Sequence, residues 1–387
     1  MQLKPIKQSF QVQYDYQLYF TSGLFQLENR LFVDLISDYK PNEAVKLLFV
    51  LDEGVERHHP ELKQQISAYC KINSDHLVHT QTLTLPGGEQ AKNKEDYIEM
   101  VLKGVNENKI CRHSFVVVIG GGAVIDMVGY AAAIAHRGVK LIRIPTTVLS
   151  QNDSAVGVKN SVNAFQKKNF LGTFAPPYAI INDSDFLETL EQRDWISGIA
   201  EAIKVALIKD KEFFQFIADN ATALKQREME PMQYLIHRCA EMHMHHIAQG
   251  GDPFESGSSR PLDFGHWAAH KMEFMTNYTM RHGEAVAKGI ALDVTYAQLL
   301  DLITESELDH ILEVMQEIGF DLQIPFDTTA EIDSLLNGIE EFREHLGGRL
   351  TITLINGLGM KYDVHTIDMG LMKRAIEKLN HHFAINN

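Results

Sequence analysis

The stretch FVVVIGGGAVIDMVGYAAAIAHRGVKLIRIP, from Phe115 to Pro145, limits the possible folds more than any other part of the chain. A valine-rich strand runs into three glycines, a helix of small residues follows and stops at Gly138, and a second apolar strand ends at Pro145. Two such strands joined through a helix predict a parallel sheet with helices on its faces. The same rhythm surrounds it. VKLLFVLD (Val45 to Asp52) and HLVHTQTLTL (His76 to Leu85) read as strands, NKEDYIEMVLKGVNEN as an amphipathic helix, and YAIIN as a further strand near Ala179 to Asn182. Beyond about Gln192 the alternation gives way to helical segments alone, apart from RLTITLING, a strand or hairpin near Leu350 to Ile355. The predicted architecture is an α/β N-terminal domain with a parallel sheet, residues 1–188, followed by an all-α C-terminal domain, residues 189–387.

Composition narrows the class. Hydrophobic residues at 45% and charged residues at 22% of 387 are ordinary globular values. A net charge of −15 disfavours nucleic acid or an anionic membrane as the main partner, yet leaves room for a small phosphorylated molecule in a locally basic cleft. Three cysteines without paired spacing suit the reducing cytoplasm. Neither a signal peptide nor an apolar run of membrane-spanning length is visible.

Several segments carry chemistry. Gly120, Gly121 and Gly122 let backbone N–H groups approach a pyrophosphate at a helix N-terminus, a Rossmann-like arrangement without the GxGxxG fingerprint. Asp126 lies one turn inside that helix. Asp52 ends an apolar strand, where open α/β sheets bind ligands, and Glu89 and Lys92 follow a Pro-Gly-Gly turn; with the glycines they are candidates for ribose hydroxyls. Each alone reads better as a solvated loop charge. The polar stretch from Pro145 to Gly172 is long for a connection, as functional loops are; by itself it reads slightly better as a surface loop with ordinary lysines than as one with Lys159, Lys168 and Asn169 as a phosphate clamp and Asp153 acting on a hydroxyl. Glu201 and Lys204 stand at i and i+3 in an otherwise apolar helix, so both require partners. His266, His270 and His282 join Glu201 as nitrogen and oxygen donors for a divalent cation. The MHMHH tract at Met242 to His246 is not expected to be a metal site, because adjacent helical residues point in different directions.

Taken in order, GGG-x3-D, PTT, DSAVG-x-K, KN, AEAIK, GH-x3-H and HGEA resemble the 3-dehydroquinate synthase family of sugar phosphate cyclases, over roughly Asp52 to Ala291. The resemblance implies NAD in the N-terminal domain, zinc or cobalt in the helical one, and a homodimer. By position it makes Glu201, His266 and His282 the metal ligands. Asp52, Glu89, Lys92, Gly121, Gly122, Asp126, Thr146, Thr147, Lys168, Phe186 and Thr189 fall at the NAD site. Asp153, Lys159, Asn169, Lys204, Asp263 and His270 face the substrate, and Arg137 reaches across the dimer toward phosphate.

Departures from the family pattern resemble a divergent, EboD-like branch, or the cyclases acting on sedoheptulose 7-phosphate or glucose 6-phosphate. Asp263 replaces an Asn, His243 stands where the family has Lys, and Arg260 is shifted by one position. An anionic Asp and a His weaken a pocket for a substrate carboxylate. The implied reaction is an intramolecular cyclisation with phosphate elimination, in which NAD is reduced and then reoxidised. Competing expectations are 3-dehydroquinate synthase itself, a metal-dependent polyol dehydrogenase of the glycerol dehydrogenase type, and a non-catalytic homologue.

Overall fold

A computed structural model describes residues 5–165, 167–250, 254 and 261–385. Its first half contains strands β1 (Gln17–Thr21), β2 (Val45–Asp52), β3 (Leu77–Leu85), β4 (Phe115–Gly120), β5 (Lys140–Pro145), β6 (Lys159–Ala164), β7 (Lys167–Phe174) and β8 (Ala179–Asp183). Six of them form one parallel sheet in the order β1-β8-β5-β4-β2-β3. Strands β2 and β4 are apolar almost throughout because both of their faces are covered. Alternate side chains feed two separate cores: Leu47, Phe49 and Leu51 enter one, and Leu48 and Val50 the other.

The chain leaves β2 for β3 on one side, then returns through β4 to the other. That reversal opens a crevice at the carboxyl ends of β2 and β4, between Asp52 and the glycine turn. The glycines are required by space. A Cβ on Gly120 would meet Asp52 Cβ at 2.9 Å, and one on Gly122 would meet Ser154 Oγ at 2.4 Å.

The stretch expected to be a long loop is ordered differently. It forms a π-helical turn, Ser150–Ser154, and then the antiparallel hairpin β6–β7. The cause lies on β5. Arg143, fully buried, donates to the carbonyls of Ala155 (2.7 Å), Gly157 (2.5 Å) and Lys159 (3.3 Å) and to Asn160 Oδ1 (2.8 Å). A guanidinium that fixes successive carbonyls leaves this segment little freedom.

The second half is helical, with the hairpin of β9 (Ile352–Ile355) and β10 (Lys361–Val364) as its addition. The helix Ile199–Lys209 is buried from Ile199 through Ile208, Glu201 and Lys204 included. The helix His282–Leu299 is buried over most of its length and packs on the helix His266–Met275. No helix among the described residues is long and apolar enough to cross a membrane.

Candidate active site

A cleft of about 1080 Å³ separates the ends of the sheet strands from the helical half. The sequence-predicted residues Asp52, Glu89, Lys92, Gly121, Gly122, Asp126, Thr146, Thr147, Asp153, Lys159, Lys168, Asn169, Phe186, Thr189, Lys204, Asp263, His266, His270 and His282 all line it. Glu201 lies beneath its floor, fully buried. Arg137 is not among the lining residues. It sits exposed in the turn after the helix Gly122–Ile134, whose length of about 20 Å separates it from the glycine end. Arg260 lies outside the described residues.

On the sheet side, Asp52 accepts a 2.7 Å bond from the Gly54 amide, and burial raises its carboxyl above the ordinary range despite that bond and those from Gly121 and Val55. Asp126 and Asn169 both accept from Lys92 rather than standing apart. The Lys92 ammonium meets Asp126 at 2.8 Å, Ser161 Oγ at 3.1 Å and Asn169 Oδ1. Glu89 accepts from Asn163 at 2.9 Å. Phe186 packs edge-on against His59, with 5.2 Å between ring centroids, and Thr189 bonds the same imidazole at 2.9 Å.

On the helical side, three elements bring three donors together. Glu201 comes from the first turn of its helix, and His266 and His282 each begin theirs. Their ligand atoms lie within 4.8 Å of one another. Glu201 Oε1 is 3.5 Å from His266 Nε2 and 3.4 Å from His282 Nε2. Burial alone would raise the Glu201 carboxyl, but the ion-paired Lys204 and the imidazoles outweigh it and hold it well below the usual range. Among the described residues, no hydrogen-bond donor reaches the buried Glu201 Oε1. An anionic oxygen facing two imidazole nitrogens without a donor is the setting a divalent cation completes. The other ring nitrogens are held from behind: His266 Nδ1 lies 3.0 Å from the Phe264 carbonyl and His282 Nδ1 3.2 Å from Glu273 Oε2. Such backing fixes the tautomer that leaves Nε2 for a metal.

A second set, His270, Glu273 and His282, is equally compact. Glu273, however, already has its charge offset by the Lys168 ammonium at 2.8 Å. His270 opens onto the cleft. Desolvation by the cleft walls, with His266 and His282 beside it, pushes the imidazole well below its ordinary pKa although the ring is exposed to the cleft. Among the described residues the MHMHH tract contributes to no metal-ligand cluster; His243 turns into the cleft, with Nδ1 3.1 Å from Asp153 Oδ1.

Sequence reasoning missed Glu273. Its signal was available, since it follows His266 by seven residues and His270 by three on the same helical face.

Comparison with known proteins gives a consistent picture. The family model for the 3-dehydroquinate synthase N-terminal region matches residues 82–197, and that for the C-terminal region matches residues 198–341. A 3-dehydroquinate synthase of Shewanella sp. (strain MR-4) is 36% identical over 316 residues, 81% of this chain and 84% of that protein. ValA, a 2-epi-5-epi-valiolone synthase from Streptomyces hygroscopicus subsp. jinggangensis 5008 solved with NAD+ and Zn2+ bound, superposes with a TM-score of 0.87 at 26% identity, covering 97% of this chain and 100% of its own. A 2-deoxy-scyllo-inosose synthase complexed with carbaglucose-6-phosphate, NAD+ and Co2+ shares the fold, with a TM-score of 0.77 at 22% identity over 93% of this chain and 96% of its own.

Proposed function

Because this chain belongs to the 3-dehydroquinate synthase family, we propose that it is an NAD- and divalent-metal-dependent sugar phosphate cyclase, a carbon–oxygen lyase that closes a sugar phosphate into a carbocycle with loss of phosphate. One observation carries the reading: Glu201, His266 and His282 converge at the floor of the cleft whose opposite wall is the glycine turn. NAD supplies reversible oxidation of a substrate hydroxyl, and zinc or cobalt polarises hydroxyl oxygens.

The protein's own groups bind and orient. Residues 1–188 form the NAD-binding part, and residues 189–387 hold the metal. Gly121 and Gly122 admit the pyrophosphate to the helix N-terminus, while Asp52, Glu89, Lys92, Asp126, Thr146, Thr147, Phe186 and Thr189 surround the rest of the dinucleotide. Lys159, Lys168, Asn169 and His270 take the substrate phosphate. Asp153, Lys204 and Asp263 orient its hydroxyls. Lys204 keeps its proton: burial opposes the charge, but Glu201 and Asp153 raise its pKa above the ordinary value. It therefore donates to substrate oxygens. The protein works in the cytoplasm as a homodimer, with Arg137 reaching the partner's cleft.

The test is to incubate purified protein with NAD, zinc or cobalt and a panel of sugar phosphates, following phosphate and NADH together. Phosphate release without accumulating NADH is expected. NADH rising in step with substrate consumed would instead mark a polyol dehydrogenase. The identity to the Shewanella enzyme favours 3-dehydroquinate synthesis as a second reading. Release from 3-deoxy-arabino-heptulosonate 7-phosphate alone would select it, whereas release from sedoheptulose 7-phosphate or glucose 6-phosphate would reject it.

A further inference from the structure

Asp293 is a charged side chain in a place where stability gives no reason for one. It projects from the middle of the helix His282–Leu299 into the helical core and is 0% exposed. No ion pair reaches it among the described residues. Its two oxygens accept from two neutral donors only: Oδ2 from the Gly265 amide at 3.0 Å and Oδ1 from the Trp267 indole Nε1 at 2.9 Å. Burial raises its pKa to about 7 against those two bonds. A buried carboxylate on two neutral donors is less stable than a packed apolar side chain of similar size, so its presence requires another explanation.

The donors supply one. Gly265 and Trp267 flank His266 in sequence. Gly265 is the left-handed residue (φ +77°) that turns the chain into the helix His266–Met275. The turn is pressed against the helix bearing Asp293, since a Cβ on Gly289 would lie 2.0 Å from Gly265 O and one on Gly265 would lie 2.8 Å from Ile290 N. The helix carrying His282 at its first position thus grips the residues on both sides of His266. We propose that Asp293 is a positioning residue for the metal site: its carboxylate sets the orientation of His266 relative to His282 by holding the Gly265 amide and the Trp267 indole. This rests on the metal reading above.

The substitution Asp293→Asn separates positioning from packing. Asn has nearly the same shape but only one acceptor oxygen, so its NH2 must confront either the Gly265 N–H or the Trp267 N–H. Zinc affinity is measured by competition with a chromophoric chelator, with near-ultraviolet circular dichroism reporting the fold. Wild type should bind one zinc per chain, and Glu201→Gln none. Asp293→Asn should stay folded and bind zinc about 10- to 100-fold more weakly, the scale of loss seen when groups behind metal ligands are removed. Adding Trp267→Phe takes away the second donor, lets the Asn oxygen face Gly265, and should restore most of the affinity. A folded Asp293→Asn protein with zinc affinity within about twofold of wild type would overturn the proposal, as would a double variant weaker than the single one. If Asp293→Asn does not fold, Trp267→Phe alone must still weaken zinc severalfold, and wild-type affinity there would also overturn it. A wild type that binds no zinc at all defeats the metal reading itself, which Glu201→Gln then fails to alter.

Discussion

At the scale of single residues, the site is a set of charges made tolerable by one another. Glu201 and Lys204 are almost completely buried, and each is the other's neutralising partner. Glu201→Gln should abolish metal binding and turnover together; it should also destabilise the protein by about 3–5 kcal/mol, because it strands the Lys204 ammonium. Atomic absorption and urea unfolding measure the two effects. His282 gives a pH signature. Burial opposes its protonation, but the neighbouring carboxylates of Glu273 and Glu201 prevail and raise its pKa to about 9 in the metal-free protein. Because this lies above the unfolded value of about 6.5, His282 contributes stability fully below about pH 6.5 and loses it as pH rises through about 9. Unfolding in chelator should therefore show wild type losing about 3 kcal/mol relative to His282→Gln across that window. Zinc must replace that proton, so its affinity should climb up to about tenfold per pH unit toward pH 9.

Among the elements, legibility followed how local each cause is. The strand Val45–Asp52 appears with the bounds its apolar run announces, because a strand covered on both faces needs no information from elsewhere. The cluster of Glu201, His266 and His282 is legible for a related reason: imidazoles and a carboxylate in apolar helices declare a need for partners. The hairpin β6–β7 was hidden, since its order depends on Arg143 from a different strand. Lys168 was read as a ligand of phosphate or cofactor, while in the fold its ammonium rests on Glu273, 105 residues away. No local pattern predicts such a pairing. The turn between β4 and its helix yields a prediction of its own. In Gly122→Ala the new methyl must displace the Ser154 hydroxyl, found at 2.4 Å from that position. Calorimetric titration should show NAD binding weakened by about 1–3 kcal/mol, the usual cost of overpacking, with zinc affinity unchanged.

Considered as a whole molecule, the chain carries a net charge of −15 yet gathers Lys92, Lys159, Lys168 and Lys204 around one cleft. The Lys168–Glu273 contact ties the hairpin of the first half to the helices of the second, so the two walls of the cleft are joined beside His282. Arg137, on the outer surface, extends the prediction to the assembly. If it serves a neighbouring cleft, Arg137→Ala and Glu201→Gln proteins should each be inactive alone, but should regain about a quarter of wild-type activity after subunit exchange in a two-fold dimer. Phosphate release from the mixture measures it, and an inactive mixture would confine Arg137 to its own subunit. The indole beside His266 also makes the protein its own reporter. The chain has two tryptophans, Trp195 and Trp267, both shielded from solvent, and only Trp267 adjoins a proposed zinc ligand. Its ultraviolet emission offers a label-free optical readout of whether the metal has been loaded.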